Sequence, residues 1–282
     1  LLAPLAIIVP SLLVFAVLPF GRNMIAVDLS VGILFFLALS STTTIWIFIG
    51  CWASRNKFSL LGGMRTVAQM VSYEIPMVLS IVPVLIVVGS FSTVAIVEAQ
   101  SGWNWFVFTP WGAVGFLVFF LTGVAEVNRT PFDLPEGESE IVAGFHTEYS
   151  GMKFALFYMA EFMNVFSISA LVATAYLGGW QGPWLPSWLW FFLKTYLLIL
   201  VMMWFRGTFP RLRVDQLMAF AWKFLLPLTL INLMVAALWV KLKSPVNHIS
   251  AFAILALSIV FLYFLNRPEI PKKRVYRYAY TD

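Results

Sequence analysis

The sequence predicts an all-α, polytopic bundle of transmembrane helices. Three observations carry that prediction. Of the 282 residues, 61% are hydrophobic and only 11% are charged, whereas soluble domains carry about 25% charged residues. The mean hydropathy is +0.89. The apolar residues gather into runs of about 20, the length that crosses a bilayer as a helix.

Eight such runs are predicted, at roughly 1–20, 31–50, 67–89, 110–127, 153–178, 186–206, 217–240 and 249–266. Leu1 already lies inside the first run, so a preceding segment is expected. No internal repeat is visible, which weighs against an inverted-repeat transporter. The loops alternate in charge. One set comprises 51–66, 128–152, 207–216 and the tail 267–282; with the adjoining span ends it holds 13 of the 18 basic residues. The opposite set holds Arg22, Lys241 and Lys243, while Lys194 and Lys223 lie within spans and are expected to snorkel to an interface. The bias assigns the first set to the cytoplasmic or matrix side. Residues 1–282 thus form one membrane domain, with an acidic cytoplasmic loop at 128–152 and a basic cytoplasmic tail at 267–282. Membrane orientation explains the pI of about 9.4 better than a nucleic-acid partner does. Tryptophans 103, 105, 111, 180, 184, 188 and 190 flank the opposite loops and read as an interfacial belt.

Acids are nearly absent except in one stretch. Residues 126–161 hold seven of the 13: Glu126, Asp133, Glu136, Glu138, Glu140, Glu148 and Glu161. Carboxylates this close raise one another's proton affinity. The stretch reads as a proton- or cation-handling site at the bilayer edge. Thr130-Pro131-Phe132-Asp133 fits a capping box, and Pro135 follows too soon for a long helix. Glu136 and Glu140 share a face if 136–146 is helical. Ile141, Val142, Phe145 and Tyr149 indicate that the loop packs against something. Arg129 stands three residues after Glu126, the spacing of a helix-end salt bridge.

Glu74 and Glu161 lie inside spans. Each is within about two turns of its span's start, roughly 12 Å deep at 1.5 Å per residue. A carboxylate there is costly and marks a functional interior position. Pro76 is expected to bend the helix beside Glu74. Arg206, Arg211 and Arg213 face the same side as the acidic loop and either dock an acidic partner, pair with the loop or contact lipid headgroups. Cys51 is the single cysteine, and His146 and His248 stand apart, so an internal disulfide and a metal site are not expected. No nucleophile–base arrangement or phosphate-cradling loop is present, so no residue is assigned as catalytic.

The run from Glu126 to Gly151 closely resembles the acidic loop of the quinone-site membrane subunit of respiratory complex I (the NADH dehydrogenase subunit 1, or bacterial H subunit, family). The resemblance extends to Leu2-Ala3-Pro4, Gln69–Glu74, Met159-Ala160-Glu161 and Arg206–Gln216, and covers essentially 1–240. It implies a subunit of a proton-translocating NADH:quinone oxidoreductase that forms part of the quinone cavity. It implies that Glu74, Glu126, Asp133, Glu136, Glu138, Glu140, Glu148 and Glu161 carry the coupling path. It also implies that Arg129, Phe132, Phe157, Tyr158 and Met159 border the quinone, and that Arg206, Arg211 and Arg213 dock partners. The substrate would be a ubiquinone or menaquinone. FMN, iron–sulfur clusters and NADH would belong to partner subunits of the peripheral arm, with small membrane-arm subunits alongside. The family's first span and its Gly-Pro-Asn-Arg segment do not occur here. The predicted eighth span and basic tail look bacterial, implying a plasma membrane rather than the mitochondrial inner membrane. Related membrane hydrogenases and reduced-deazaflavin dehydrogenases have a homologous subunit, and a stand-alone proton or cation transporter is the rival from another class.

Overall fold

A computed structural model describes residues 2–133, 144–241, 254–256 and 258–260. Helices account for the predicted spans, and no β-strand occurs among the described residues. Helix α1 (Ala3–Leu13) opens with Pro4 in its first turn, where a missing N–H costs nothing, and continues as a 3-10 turn over Val14–Val17. Helix α2 spans Gly32–Ala53. Helix α3 spans Lys57–Val88; Asn56 caps its start by accepting from the Phe58 N–H, and Gly89 closes it at φ 72°. Next comes a short helix, α4 (Thr93–Ala99), capped by Ser92. The sequence does not announce it, because seven residues are too few to show an apolar period. Helix α5 (Pro110–Glu126) begins with the Thr109 cap and Pro110. Helices α6 (Met152–Tyr176) and α7 (Ser187–Thr208) follow. Helix α8 covers Val214–Lys241 and contains a π-helical stretch at Phe220–Leu225. Five of these helices, α2, α3, α6, α7 and α8, are long and apolar enough to cross a membrane, and α1 and α5 are shorter apolar helices. Of the predicted eighth span, only 254–256 and 258–260 are described, and they are helical. The tail 267–282 lies outside the described residues.

One boundary matters for function. The predicted third span starts at 67, but α3 starts at Lys57, ten residues earlier. Its first turns carry Lys57 and Arg65, which a hydropathy window discards. Glu74 is therefore the eighteenth residue of its helix, near the middle, while Glu161 is the tenth of α6. Their equal depth, expected from the spans, does not hold along the helices. Pro76 and Pro83 lie inside α3, which runs through both as one helix.

Helix α3 packs against α2, α5 and α8, and α6 packs against α1, α5 and α7. Small residues allow close approach. A Cβ on Gly63 of α3 would collide with Cys51 Sγ of α2, and one on Gly123 of α5 would stand 2.5 Å from Ile168 of α6.

The two ends of the bundle differ. At one end, Lys194 does not snorkel: it is 6% exposed. Its ammonium donates to the carbonyls of Leu177, Gly179 and Gln181 at 2.6, 3.1 and 2.7 Å. It also lies 4.2 Å from the Trp105 ring. The carbonyls at the end of α6 carry partial negative charge, so a buried cation there is well placed. Gln100 adds donors to Thr174 and Ala175 and accepts from the Gly178 N–H. Lys194→Met removes the shared donor and leaves three carbonyls unpaired. It should cost about 3 kcal/mol, seen as a lower unfolding temperature of the assembled protein; unchanged thermal stability would show the clamp to be dispensable.

Candidate functional site

The opposite end holds the acidic stretch. Helix α5 stops at Glu126, and Asn128, at φ 55°, reverses the chain. The Phe132 N–H donates to the Arg129 carbonyl, closing a turn over 129–132 rather than the expected capping box. Gln69 of α3 fixes both sides of this reversal. Its Nε2 donates to the Ala125 carbonyl at 2.8 Å and the Phe132 carbonyl at 2.7 Å. One helical turn on, Tyr73 packs edge-on against Phe132 and donates to the Leu217 carbonyl of α8 at 3.0 Å. The turn is therefore held to α3, and α3 to α8, by buried polar bonds, which are costly to break.

This reversal sets the charges. The anticipated Glu126–Arg129 bridge does not form. Arg129 reaches across to α6, where its Nε stands 3.2 Å from Glu161 Oε1. The Phe162 ring lies 4.8 Å from its guanidinium carbon. The chain bend separates Arg129 from the face of α5 that carries Glu126, so helical spacing no longer applies. Glu126 stays inside, 7% exposed. Ser40 of α2 and Glu74 of α3 are close enough to act on it electrostatically. Glu74 in turn accepts a hydrogen bond from Ser41 of α2. A row of polar groups thus runs from Arg129 through Glu161 and Glu126 to Glu74.

Two cavities meet this row. A narrow one, about 40 Å³, is lined by Met70, Glu126, Asn128, His146, Phe157 and Glu161, among others. That is room for a few waters, far below the size of small-molecule pockets. The second is an apolar groove of about 230 Å³ between α6 and α7. Phe162, Phe166, Ile199 and Met202 line its length, and Arg129 and Arg206 supply its charges. Glu161 lines the first cavity and Arg129 the second. Their ion pair stands in the wall between them.

Residues 1–237 match the model of a family described as NADH dehydrogenase. The chain belongs to that family. It is 53% identical over 246 residues to the H subunit of the NADH-quinone oxidoreductase of Dehalococcoides mccartyi (strain CBDB1), covering 87% of this chain and 69% of the relative. It is 55% identical over 236 residues to the corresponding chain of Dehalococcoides mccartyi (strain ATCC BAA-2266 / KCTC 15142 / 195), covering 84% and 66%. The H subunit of the Geobacillus kaustophilus (strain HTA426) enzyme is 51% identical over 240 residues, covering 84% and 71%. The resemblance carried by the acidic loop is thereby confirmed across most of the chain.

The NADH dehydrogenase family resemblance singles out further residues, which the fold distributes. Asp133 meets Arg211 at 3.0 Å, and the Leu212 N–H donates to the Pro131 carbonyl. Of the alternatives for this arginine loop, Arg211 takes the pairing with the acidic loop. The Arg213 N–H donates to Gln216 at the start of α8, and Arg206 lies in the groove. Glu148 accepts from Asn56 at 2.7 Å, tying the acidic loop to the start of α3. Phe157 is buried at the narrow cavity, and Tyr158 packs 5.6 Å from the His146 ring. Phe132 is in the core beside Tyr73, and Met159 is 49% exposed; neither lines either cavity. Glu136, Glu138 and Glu140 lie outside the described residues. Gln69, Ser40, Ser41, Asn128 and His146 enter the site without having stood out as site residues in the sequence. A signal exists for the serines: Ser40-Ser41-Thr42-Thr43-Thr44 is a hydroxyl run within an apolar span, and polar groups there face the interior.

Proposed function

We propose that this chain is the quinone-site membrane subunit of a proton-translocating NADH:quinone oxidoreductase, and that the Arg129–Glu161 pair links its quinone groove to its carboxylate row. The single observation that carries this is the position of that pair, one partner in each cavity. The apolar groove suits an isoprenoid tail, with the arginines at hand for a polar head. Phe162 and Met203 of its lining are exposed, and a partner subunit of the peripheral arm completes the site. The narrow cavity is too small for a quinone ring and suits water and protons.

The chain's own residues then act as follows. A change of charge beside Arg129 alters its hold on Glu161. Glu161 faces the cavity it shares with Glu126, and Glu126 feels Glu74. Each carboxylate can take up or release a proton, so a disturbance at the groove travels inward as proton affinity. That is coupling through a bistable charge arrangement rather than through electron transfer in this chain. A single cysteine does not supply the four thiolates of an iron–sulfur cluster; the clusters, and with them NADH and FMN, are assigned to partner subunits. The basic loops orient the acidic end toward the cytoplasm of a bacterial plasma membrane. Relatives named as the H subunit of NADH-quinone oxidoreductase favour this reading over a hydrogenase component or a stand-alone transporter.

The test uses a photoreactive quinone analogue on membranes that hold the assembled complex. Label is expected in α6 near Phe162 or α7 near Met202, on a chain that co-migrates with flavin and iron–sulfur subunits. Label confined to other chains, or a small homo-oligomer free of flavin, would contradict it.

A further inference from the structure

His146 has no part in the coupling row described above, yet its setting is built. It lies in the 3-10 turn Gly144–His146 of the acidic loop and is 6% exposed. Four aromatic rings from the loop and α6 surround it. Phe145, Phe154, Tyr158 and Phe157 have ring centroids 3.7, 5.2, 5.6 and 5.8 Å away. Helix α3 holds the turn: a Cβ on Gly62 would stand 2.8 Å from Gly144 Cα, and Ser59 donates to the Phe145 carbonyl. The imidazole is thus fixed at the narrow cavity that also takes Glu126 and Glu161.

Glu126 Oε2 and Asn128 Oδ1 are buried and have no hydrogen-bond partner among the described residues. Buried acceptors of this kind are normally satisfied, by ordered water where no protein donor reaches. The cavity's 40 Å³ admits a few waters. Histidine changes charge between about pH 5 and 8, which suits proton exchange with carboxylates in a confined site.

We infer that His146 is a further proton-carrying residue of this cavity, exchanging protons with Glu161 and Glu126 through water. This deepens, and rests on, the coupling role proposed above. The step balances simply. An imidazolium N–H gives its proton to a water, which passes one to a carboxylate oxygen; the reverse step returns it, and no electron moves. Among the described residues, the cavity and the loop bring these titratable groups to the imidazole. Glu126 comes from α5, Glu161 and the Tyr158 phenol from α6, and Tyr149 and Glu148 from the loop itself. Helices α1, α2 and α3 give the cavity only Ile7, Ile47 and Met70. Arg129 acts from one step away, through Glu161.

The experiment measures NADH:quinone turnover and proton uptake against pH, using the complete complex in membrane vesicles. His146→Asn keeps a polar side chain that cannot titrate. It should lower turnover severalfold and flatten the limb of the pH profile that the unsubstituted complex shows between about pH 5 and 8. His146→Ala opens space, and added imidazole should restore part of the rate. Asn profiles that superimpose on the unsubstituted ones, or an Ala variant whose rate imidazole does not raise, overturn the proposal. Assembly is checked first, and if Asn fails to assemble the Ala variant with imidazole decides. The two readings fail differently. An unsubstituted complex with no NADH:quinone turnover would remove the coupling reading, whereas a normal complex with an indifferent His146 removes only this inference.

Discussion

Glu161→Gln is expected to leave the complex assembled and to cut NADH:quinone turnover by about tenfold to a hundredfold. The size follows from two losses. Positioned proton transfer contributes about two to four orders of magnitude where it operates, and an amide cannot take up a proton. The amide also leaves Arg129, only 14% exposed at its side chain, without its counter-charge. An uncompensated cation at the groove should hold a polar head in the wrong place as well. Glu161→Asp retains the carboxyl group with a shorter reach, so it should keep more activity than Gln. Turnover normalised to assembled complex is the reading. Equal rates for Gln and the unsubstituted residue would make Glu161 a structural partner of Arg129 and nothing more.

Glu126→Gln is expected to have an effect of similar size, for a different reason. Glu126 makes no ion pair among the described residues. It stands between the cavity and the Glu74–Ser41 contact, and one of its oxygens faces no donor. In the proposed path its part is to pass on a charge rather than to hold a structure. If Glu126 and Glu74 are successive members of one path, removing either interrupts it. The double variant Glu74→Gln/Glu126→Gln should then lose little more activity than the worse single variant. Contacting residues are where such non-additivity arises. Losses that multiply would place the two carboxylates on separate routes.

The helices are legible from the sequence because membrane spans leave a composition signal about 20 residues long. What hydropathy misses is local. The first ten residues of α3 carry Lys57 and Arg65, so they read as loop although Asn56 caps them into the helix. The seven-residue α4 is too short to register. The acidic stretch is legible because carboxylates are rare in this chain. Its pairing is not. Glu126 and Arg129 have helical spacing, but a single left-handed residue, Asn128, ends the helix between them and sends Arg129 to Glu161. Lys194 misleads for a related reason. Its neighbouring tryptophans suggest an interface, and only the fold shows three carbonyls converging on it. Spacing along a chain indicates which residues can meet on one helix. It says nothing of partners brought in from another.

If quinone chemistry at the groove drives protons along Glu161, Glu126 and Glu74, blocking the middle of that row should uncouple the enzyme. The most direct measurement is proton translocation and quinone reduction, recorded together in sealed membrane vesicles that carry the complex with Glu126→Gln. The proton gradient should collapse, with quinone reduction slowed or uncoupled from it. A gradient and a rate both equal to those of the unsubstituted complex, at equal assembly, would contradict the proposed path.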